Sequence, residues 1–280
     1  MTRGEFRQEF LSRLQTLYDP REVGAMLRWY LLDQCGLEYH LFVLDAGVKM
    51  PDNINYLSDL QRLENGEPLQ YVVGFTEFHG LRFRTDSRAL IPRPETEELV
   101  DLILREQRHC PDLRVLDIGT GTGAIAITLA HELPTAQVDA LDISADALAL
   151  AKENAQALHA NVNFIHADIL RINSLSKKYD IIVSNPPYIP ESRRPLLHRN
   201  VTAFEPAVAL FVPDRSPLLF YEKIAELASK AMTPGVKVYF ETYEDFHLEL
   251  TELLKRNKFL DIRCLDDISG KPRFVTASLG

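Results

Sequence analysis

Val115-Leu116-Asp117-Ile118-Gly119-Thr120-Gly121-Thr122-Gly123 reads as an apolar strand that runs into a glycine-rich turn, and Ala124 to Glu132 behind it reads as a helix. Glycine has no Cβ, so such a turn lets the backbone approach a ligand closely. The first turn of the following helix offers unpaired N–H groups to the same ligand. The stretch predicts a strand, a cradle and a helix in series, the opening unit of an alternating fold.

Downstream the alternation continues. Val138 to Ile143 reads as a strand and Ala145 to Leu158 as a helix; Val162 to His166 and Tyr179 to Ser184 read as strands, followed by a helix from about Pro217 to Met232. Gly235 to Thr242 is a further strand and Glu244 to Arg256 a further helix. Phe259 to Leu265 and Arg273 to Leu279 have only Asp266 to Lys271 between them, too short for a crossover, which predicts an antiparallel hairpin. The fold class is α/β, a mostly parallel seven-stranded sheet with helices on both faces and a C-terminal antiparallel hairpin.

Ahead of this domain the period differs. Phe6, Phe10, Leu11, Leu14 and Leu17, then Val23, Met26, Leu27, Tyr30 and Leu31, recur at helical spacing and predict a small helical bundle over residues 1–65. Asp19-Pro20 separates the first two helices, because the residue before a proline is driven out of the helical region. Asn53 and Asn65-Gly66 mark further boundaries, Ser58 falls within the last helical stretch, and Trp29 reads as a packing residue. Residues 66–74 break the helical period, and Phe75 to Phe83 alternates aromatic and polar residues around His79-Gly80, a hairpin signal. Residues 66–90 are read as a hairpin-bearing connector to a domain over 91–280.

Composition narrows the function. With 46% hydrophobic and 25% charged residues, the 280-residue chain suits a soluble protein with a sizeable core. Its net charge is -9, with seven basic against eleven acidic residues in 1–75 and 24 against 29 in the remainder. Nucleic acids are gripped largely by cations that displace counterions, so acidity in both parts disfavours a nucleic-acid partner. Cys35, Cys110 and Cys264 are far apart and lack a CxxC, which argues against disulfides or structural zinc and for a reducing, cytoplasmic setting. His40, His79, His131 and His247 lack ligand spacing, so no metal is assigned. The early acid Glu5 and the absence of an apolar core segment disfavour a signal or transit peptide, and no apolar run predicts a membrane span. A monomer is expected.

Three further features carry chemistry. Asp142 ends the strand after the glycine turn, 19 residues beyond Gly123, where a carboxylate can accept both hydroxyls of a ribose. Glycine turn and acid together suit adenosine, whether in a nicotinamide cofactor or in S-adenosylmethionine. Asp168, after the third strand, is placed to accept from an adenine amino group, with Ile169 against the ring. Asn185-Pro186-Pro187-Tyr188, at the end of the Tyr179 to Ser184 strand, has no place in hydride transfer. An amide nitrogen is a poor nucleophile and must be aimed at a sulfonium methyl. The oxygen of Asn185 and the carbonyl of Pro186 can each accept one N–H of an incoming NH₂ group. The prolines stiffen the turn and Tyr188 offers a ring face to a planar group.

The Asp117 to Gly123 turn, Asp142 and Asn185-Pro186-Pro187-Tyr188 together resemble class I S-adenosylmethionine-dependent methyltransferases that modify planar NH₂ groups. Gly66-Glu67-Pro68-Leu69-Gln70-Tyr71, Ile91-Pro92-Arg93-Pro94-Glu95-Thr96-Glu97 and Phe204-Glu205-Pro206 are similar to one family within them, the release-factor glutamine methyltransferases. The resemblance spans almost the whole chain and implies a Rossmann-like methyltransferase domain after the bundle. It implies methylation of the glutamine in the Gly-Gly-Gln loop of peptide chain release factors, with S-adenosylmethionine held by Gly119, Thr120, Gly121, Thr122, Gly123 and Asp142, beside the Asp168 and Ile169 already read against its adenine. Asn185 would sit between cofactor and substrate, Pro186, Pro187 and Tyr188 would complete the glutamine pocket, and the Ile91 to Glu97 segment would line the methionine end. The bundle would grip the release factor. An adenine-N6 methyltransferase uses the same turn on a flipped base and is the alternative activity; a non-catalytic scaffold is opposed by the intact Asn185 and Asp142.

Arg93, set between two prolines, reads as a rigidly presented substrate-binding residue. Arg193, Arg194, His198 and Arg199 form a basic cluster after the turn, and Glu205 is placed to orient that loop by hydrogen bonding.

Overall fold

A computed structural model of the chain describes residues 1–52, 54–231 and 237–280, with the side chain of residue 231 also left undescribed. The boundary expected at Asn53, the last residue of the helix read to Met232 and the strand start read at Gly235 lie outside the described residues.

Local capping decides where the first helices begin. Thr2 and Glu5 form a reciprocal capping box that starts α1 (Arg3–Leu14), and Asp19 accepts from the Arg21 N–H to start α2 (Pro20–Cys35), with Pro20 in its first turn. The short α3 (Tyr39–Leu44) follows, and Asn55 accepts from the backbone N–H of Ser58 to cap α4 (Tyr56–Glu64). Phe6, Phe10 and Leu14 pack with Val23, Leu27, Tyr30, Leu31, Phe42, Leu60 and Leu63, and Trp29 packs partly buried against them. Each buried Leu or Phe contributes about 1.5–3 kcal/mol over exposure. Leu17 is 47% exposed, because α1 has already ended and the chain is turning towards Pro20, so the apolar stripe stops at Leu14.

The stretch read as breaking the helical period holds one more helical turn, α5 (Leu69–Val73). Leu69, Val72 and Val73 fall at helical spacing on one face and join the core of the bundle, which overrides their strand propensity. The turn stops at Gly74, whose φ of 81° is the left-handed conformation glycine adopts freely. The compact helical unit comprises Met1–Phe75 together with His198–Phe204.

The second compact unit comprises Thr76–Leu197 and Glu205–Gly280. Its first element is a hairpin, β1 (Phe75–Phe78), of which all but Phe75 belongs to this unit, and β2 (Leu81–Arg84); the two turn residues His79 and Gly80 both have positive φ, at 51° and 72°. Then come α6 (Pro94–Gln107), β3 (Arg114–Ile118), α7 (Ala124–Glu132), β4 (Gln137–Asp142), α8 (Ala145–Ala157), β5 (Val162–His166) and β6 (Ile181–Ser184). After β6 lie the short parallel pair β7 (Ile189–Pro190) and β8 (Phe211–Val212), with α9 (Arg199–Phe204) between them in sequence. The chain closes with α10 (Leu219–Ala231), β9 (Lys237–Glu241), α11 (His247–Arg256), β10 (Phe259–Asp266) and β11 (Pro272–Leu279).

Seven strands form one sheet in the order β10-β11-β9-β6-β3-β4-β5. The β3, β4, β5, β6 and β9 pairings are parallel, and β10 and β11 close the edge antiparallel, as the short connection predicts. Alternation along the strands feeds two cores: Val115, Ile181 and Val183 pack on the side of α6 and α7, while Leu116, Ile118 and Ile182 pack on the side of α10 and α11. Two strand and helix starts are later than the sequence suggests. Tyr179 and Asp180 precede β6, with the Tyr179 hydroxyl donating to Asp139 at 2.6 Å, and α11 begins at His247 after a turn closed by the Phe246 N–H on the Tyr243 carbonyl. The strand order reverses between β3 and β6, which opens a crevice beyond their C-terminal ends.

Candidate functional site

A cavity of about 280 Å³ occupies that crevice. Gly119 and Gly121 form one wall, Asp142 and Ser144 the next, Asp168 and Ile169 a third, and Asn185, Pro186 and Pro187 the far end. The structure therefore gathers most of the residues singled out in the sequence. Thr120, Thr122, Gly123, Tyr188 and Arg93 are not among its lining residues.

The glycine turn is braced from below. Gly119 and Thr120 donate their N–H groups to the Leu141 carbonyl at 2.8 and 3.1 Å, and the Thr120 hydroxyl donates to Asp117 at 2.6 Å. Burial pushes the Asp117 carboxyl up to about 7, against the lowering effect of that hydroxyl. Gly119, Gly121 and Gly123 all have positive φ. A Cβ added at Gly119 would meet no protein atom within 4 Å, so the space above it belongs to the cavity. At Gly123 the reason for glycine is different: a Cβ would lie 2.7 Å from Ile127 and 3.2 Å from Ala151. Thr120, Thr122 and Gly123 thus shape the turn rather than face the cavity.

Asp142 receives the Gly121 and Ser144 N–H groups, one on each oxygen and both at 2.9 Å. Burial raises its pKa, opposed by these backbone donors. Each oxygen keeps a lone pair, which suits a neighbouring diol. Asp168 caps a short 3-10 turn by accepting from the Leu170 N–H at 2.9 Å, and Arg171 pairs with it at 3.2 Å. The turn holds Ile169 buried against the cavity.

At the far end, Asn185 donates its side-chain N–H to the Thr96 hydroxyl oxygen at 3.1 Å. Thr96 donates in turn to Glu241 at 2.7 Å, and the Tyr188 hydroxyl donates to the other Glu241 oxygen at 3.2 Å. Burial raises the Glu241 carboxyl pKa, with the Thr96 and Tyr188 hydroxyls and the Arg273 charge opposing it. Tyr188 lies half-buried with its ring 6.1 Å from that of Tyr243, and burial holds its phenol well above the ordinary range.

Arg93, read as a rigidly presented substrate-binding residue, has its guanidinium engaged within the protein. Its guanidinium donates to Glu205 at 2.6 Å, and the Ile91 N–H donates to the other Glu205 oxygen at 3.1 Å. Glu205 does orient a segment, but that segment is Ile91 to Arg93. In the basic cluster, Arg193 pairs with Asp245 at 3.1 Å, Arg194 pairs with Glu191 at 3.0 Å and lies over the Phe211 ring at 4.0 Å, and the His198 ring meets the Asn200 side chain at 2.8 Å. The acidic-then-glycine turn before β11 is built on Asp267, which accepts from Ser269 and Lys271 and pairs with Arg273 at 3.1 Å. No group of His, Cys, Asp and Glu suited to a metal ion occurs among the described residues.

Residues 96–202 match the family model of a methyltransferase small domain. Over 274 residues the chain is 42% identical to a release factor glutamine methyltransferase from Bacteroides thetaiotaomicron, covering 95% of this chain and 96% of that one. It is 40% identical over 276 residues to a protein of the same name from Flavobacterium psychrophilum, covering 96% of both. The chain belongs to the release factor glutamine methyltransferase family. A methyltransferase from Pyrococcus furiosus shares the fold, with a TM-score of 0.54 at 17% identity over 72% of this chain and 90% of that one.

In this family member three residues that brace the loops of the cavity are not singled out in the sequence. Glu241 ends β9 and has no role assigned from the sequence, and Thr96, in the first turn of α6, is read there only as part of the Ile91 to Glu97 segment. Asn154, buried in α8, donates to the Thr122 carbonyl at 3.0 Å and the Arg84 carbonyl at 3.1 Å, tying the glycine turn to the hairpin. The available signal was a polar residue at an otherwise apolar helical position, since Asn154 lies among Leu150, Ala151 and Ala155.

Proposed function

We propose that the chain methylates the side-chain amide nitrogen of the glutamine in the Gly-Gly-Gln loop of peptide chain release factors, using S-adenosylmethionine. The observation that carries this reading is the commitment of the Asn185 nitrogen to Thr96, which leaves the Asn185 oxygen as an acceptor at the cavity end. An acceptor there suits an incoming NH₂ group.

The cavity fits the cofactor. The open space above Gly119 and the paired lone pairs of the buried Asp142 suit a ribose beside a close backbone, and Ile169 suits an adenine face. We assign the adenine amino group to Asp168. Bound there, S-adenosylmethionine supplies an electrophilic methyl group. The protein's own part is positioning: Asn185 Oδ1 and the Pro186 carbonyl accept the two N–H groups of the glutamine amide, and Pro187 restricts the turn that carries them. Both acceptors favour the positive charge that grows on nitrogen, and the nitrogen sheds a proton once alkylated. Tyr188 acts from behind, through Glu241, and Arg93 through Glu205.

We assign release-factor binding to the helical unit, where Leu41 and Leu44, 46% and 77% exposed on α3, and Val48, 48% exposed, present apolar side chains to solvent. The net charge of -9 supports a protein substrate over a nucleic acid.

Labelled S-adenosylmethionine with purified release factor, with its Gly-Gly-Glu variant, and with DNA and RNA in parallel tests the reading. Label is expected only on the Gly-Gly-Gln protein; label on nucleic acid alone would replace it with adenine methylation. In the same assay, the Leu41→Asp/Leu44→Asp variant should raise KM for intact release factor by about tenfold, equivalent to about 1.4 kcal/mol. KM for a short Gly-Gly-Gln peptide should stay unchanged, and an equal rise for both would remove the helical unit from recognition.

A further inference from the structure

We propose that Glu241, acting through Thr96, is a positioning residue that locks the Asn185 amide with its oxygen towards the substrate, and thereby makes the site select an NH₂ group over a carboxylate. The inference rests on the methyl-transfer reading above and adds to it the origin of the acceptor's orientation.

An asparagine amide is nearly symmetric in shape, so its surroundings decide which end faces a ligand. Here the decision starts at Glu241, 1% exposed at the C-terminal end of β9. Against the burial that raises its pKa, the Thr96 and Tyr188 hydroxyls and the Arg273 charge favour its ionised form, and an ionised carboxylate only accepts. It takes the single hydroxyl proton of Thr96 at 2.7 Å, so the Thr96 oxygen has only lone pairs to offer Asn185. Asn185 must then present its nitrogen to Thr96, at 3.1 Å, and its oxygen elsewhere. The chain of two hydrogen bonds translates a buried negative charge into an acceptor at the cavity end.

The same carboxylate accepts the Tyr188 hydroxyl, so it holds both ends of the Asn185 to Tyr188 turn. Tyr221 donates its hydroxyl to the Glu241 main-chain carbonyl at 2.8 Å, which fixes the strand end itself. Thr96 and Asn185 are 89 residues apart and Thr96 and Glu241 are 145 apart, so the relay joins α6, β6 and β9. Without the carboxylate, the Thr96 proton is free to turn to Asn185 Oδ1. The amide would then flip and point its N–H groups at the substrate. Such a site repels a glutamine NH₂ and welcomes a glutamate carboxylate.

Thr96→Val keeps the shape and removes the relay; Thr96→Ser keeps the hydroxyl; Glu241→Gln removes the charge. Thr96→Val and Glu241→Gln are expected to lower the single-turnover rate on release factor by about 10–100-fold. S-adenosylmethionine affinity should stay near wild type in both, and Thr96→Ser should restore most of the rate. A readout that needs no substrate is the solvent exchange of the Asn185 side-chain NH₂ protons, followed by NMR in asparagine-labelled protein with Asn185→Asp for assignment. Exchange should be slow in wild type and Thr96→Ser and fast in Thr96→Val. Wild-type turnover together with unchanged exchange in Thr96→Val overturns the relay. A wild-type enzyme that fails to methylate release factor instead overturns the functional reading, and the exchange measurement still decides the relay.

Discussion

Asn185→Ala is expected to lower the single-turnover rate of methyl transfer to release factor by about 10²–10³-fold or more, the scale on which removing one preorganised polar group from a reacting centre acts. The variant deletes the acceptor at the cavity end and leaves the Thr96 hydroxyl without the amide it receives. Cofactor binding should survive at reduced affinity, because Gly119, Gly121, Asp142 and Ile169 on the other walls are untouched. Rapid-quench measurement of labelled methyl transfer, with calorimetry for the cofactor, separates the two effects. Asn185→Asp sharpens the test. It keeps an acceptor but cannot donate to Thr96, whose one proton is already given to Glu241. Near-normal turnover in Asn185→Ala would remove this residue from the proposed chemistry.

Gly123→Ala should show its main effect in stability. The φ of 84° costs an alanine about 1–2 kcal/mol, and the added methyl would lie 2.7 Å from Ile127 and 3.2 Å from Ala151. Overpacking of that kind adds about 1–3 kcal/mol. A combined loss of about 3 kcal/mol lowers Tm by roughly 6–12 °C in a domain of this size. Gly121→Ala is the comparison: its Cβ would meet only Ala89 at 4.0 Å, and Gly121 lines the cavity, so its larger effect should fall on cofactor affinity. Thermal unfolding of both, with and without cofactor, reads the contrast. An unchanged Tm in Gly123→Ala would mean that α7 shifts to accept the methyl.

The sheet was legible because its strands announce themselves twice. Val115, Leu116 and Ile118 are apolar on both faces, since each face has its own core, and α8 between two of the strands starts on a Ser144 side-chain cap. The walls of the cavity were legible for a related reason: a glycine turn, an acid at a strand end and a proline-stiffened amide are local signals. What failed to show was long-range. Glu241 acquires its meaning only by meeting Thr96, 145 residues away, and Arg93 looked presented because its partner Glu205 lies 112 residues on. The α5 turn was missed because Leu69-Gln70-Tyr71-Val72-Val73 has strand propensity, and packing into the bundle core decided otherwise. Tyr188 was read as a face of the pocket, whereas the structure has its hydroxyl on Glu241 and its ring beside Tyr243.

The acceptor orientation at Asn185 also bears on what leaves the enzyme. A primary amide has two N–H groups for the Asn185 oxygen and the Pro186 carbonyl, but the methylated product has one. One acceptor then loses its partner, at a cost of up to about 1–3 kcal/mol if it is shut off from water. On the proposed geometry the product is held less well than the substrate, and the reaction is expected to stop after one methyl group; a mass increase of two methyl groups on the glutamine would contradict this. A device that orients the incoming nitrogen thus also counts methyl groups and hastens release.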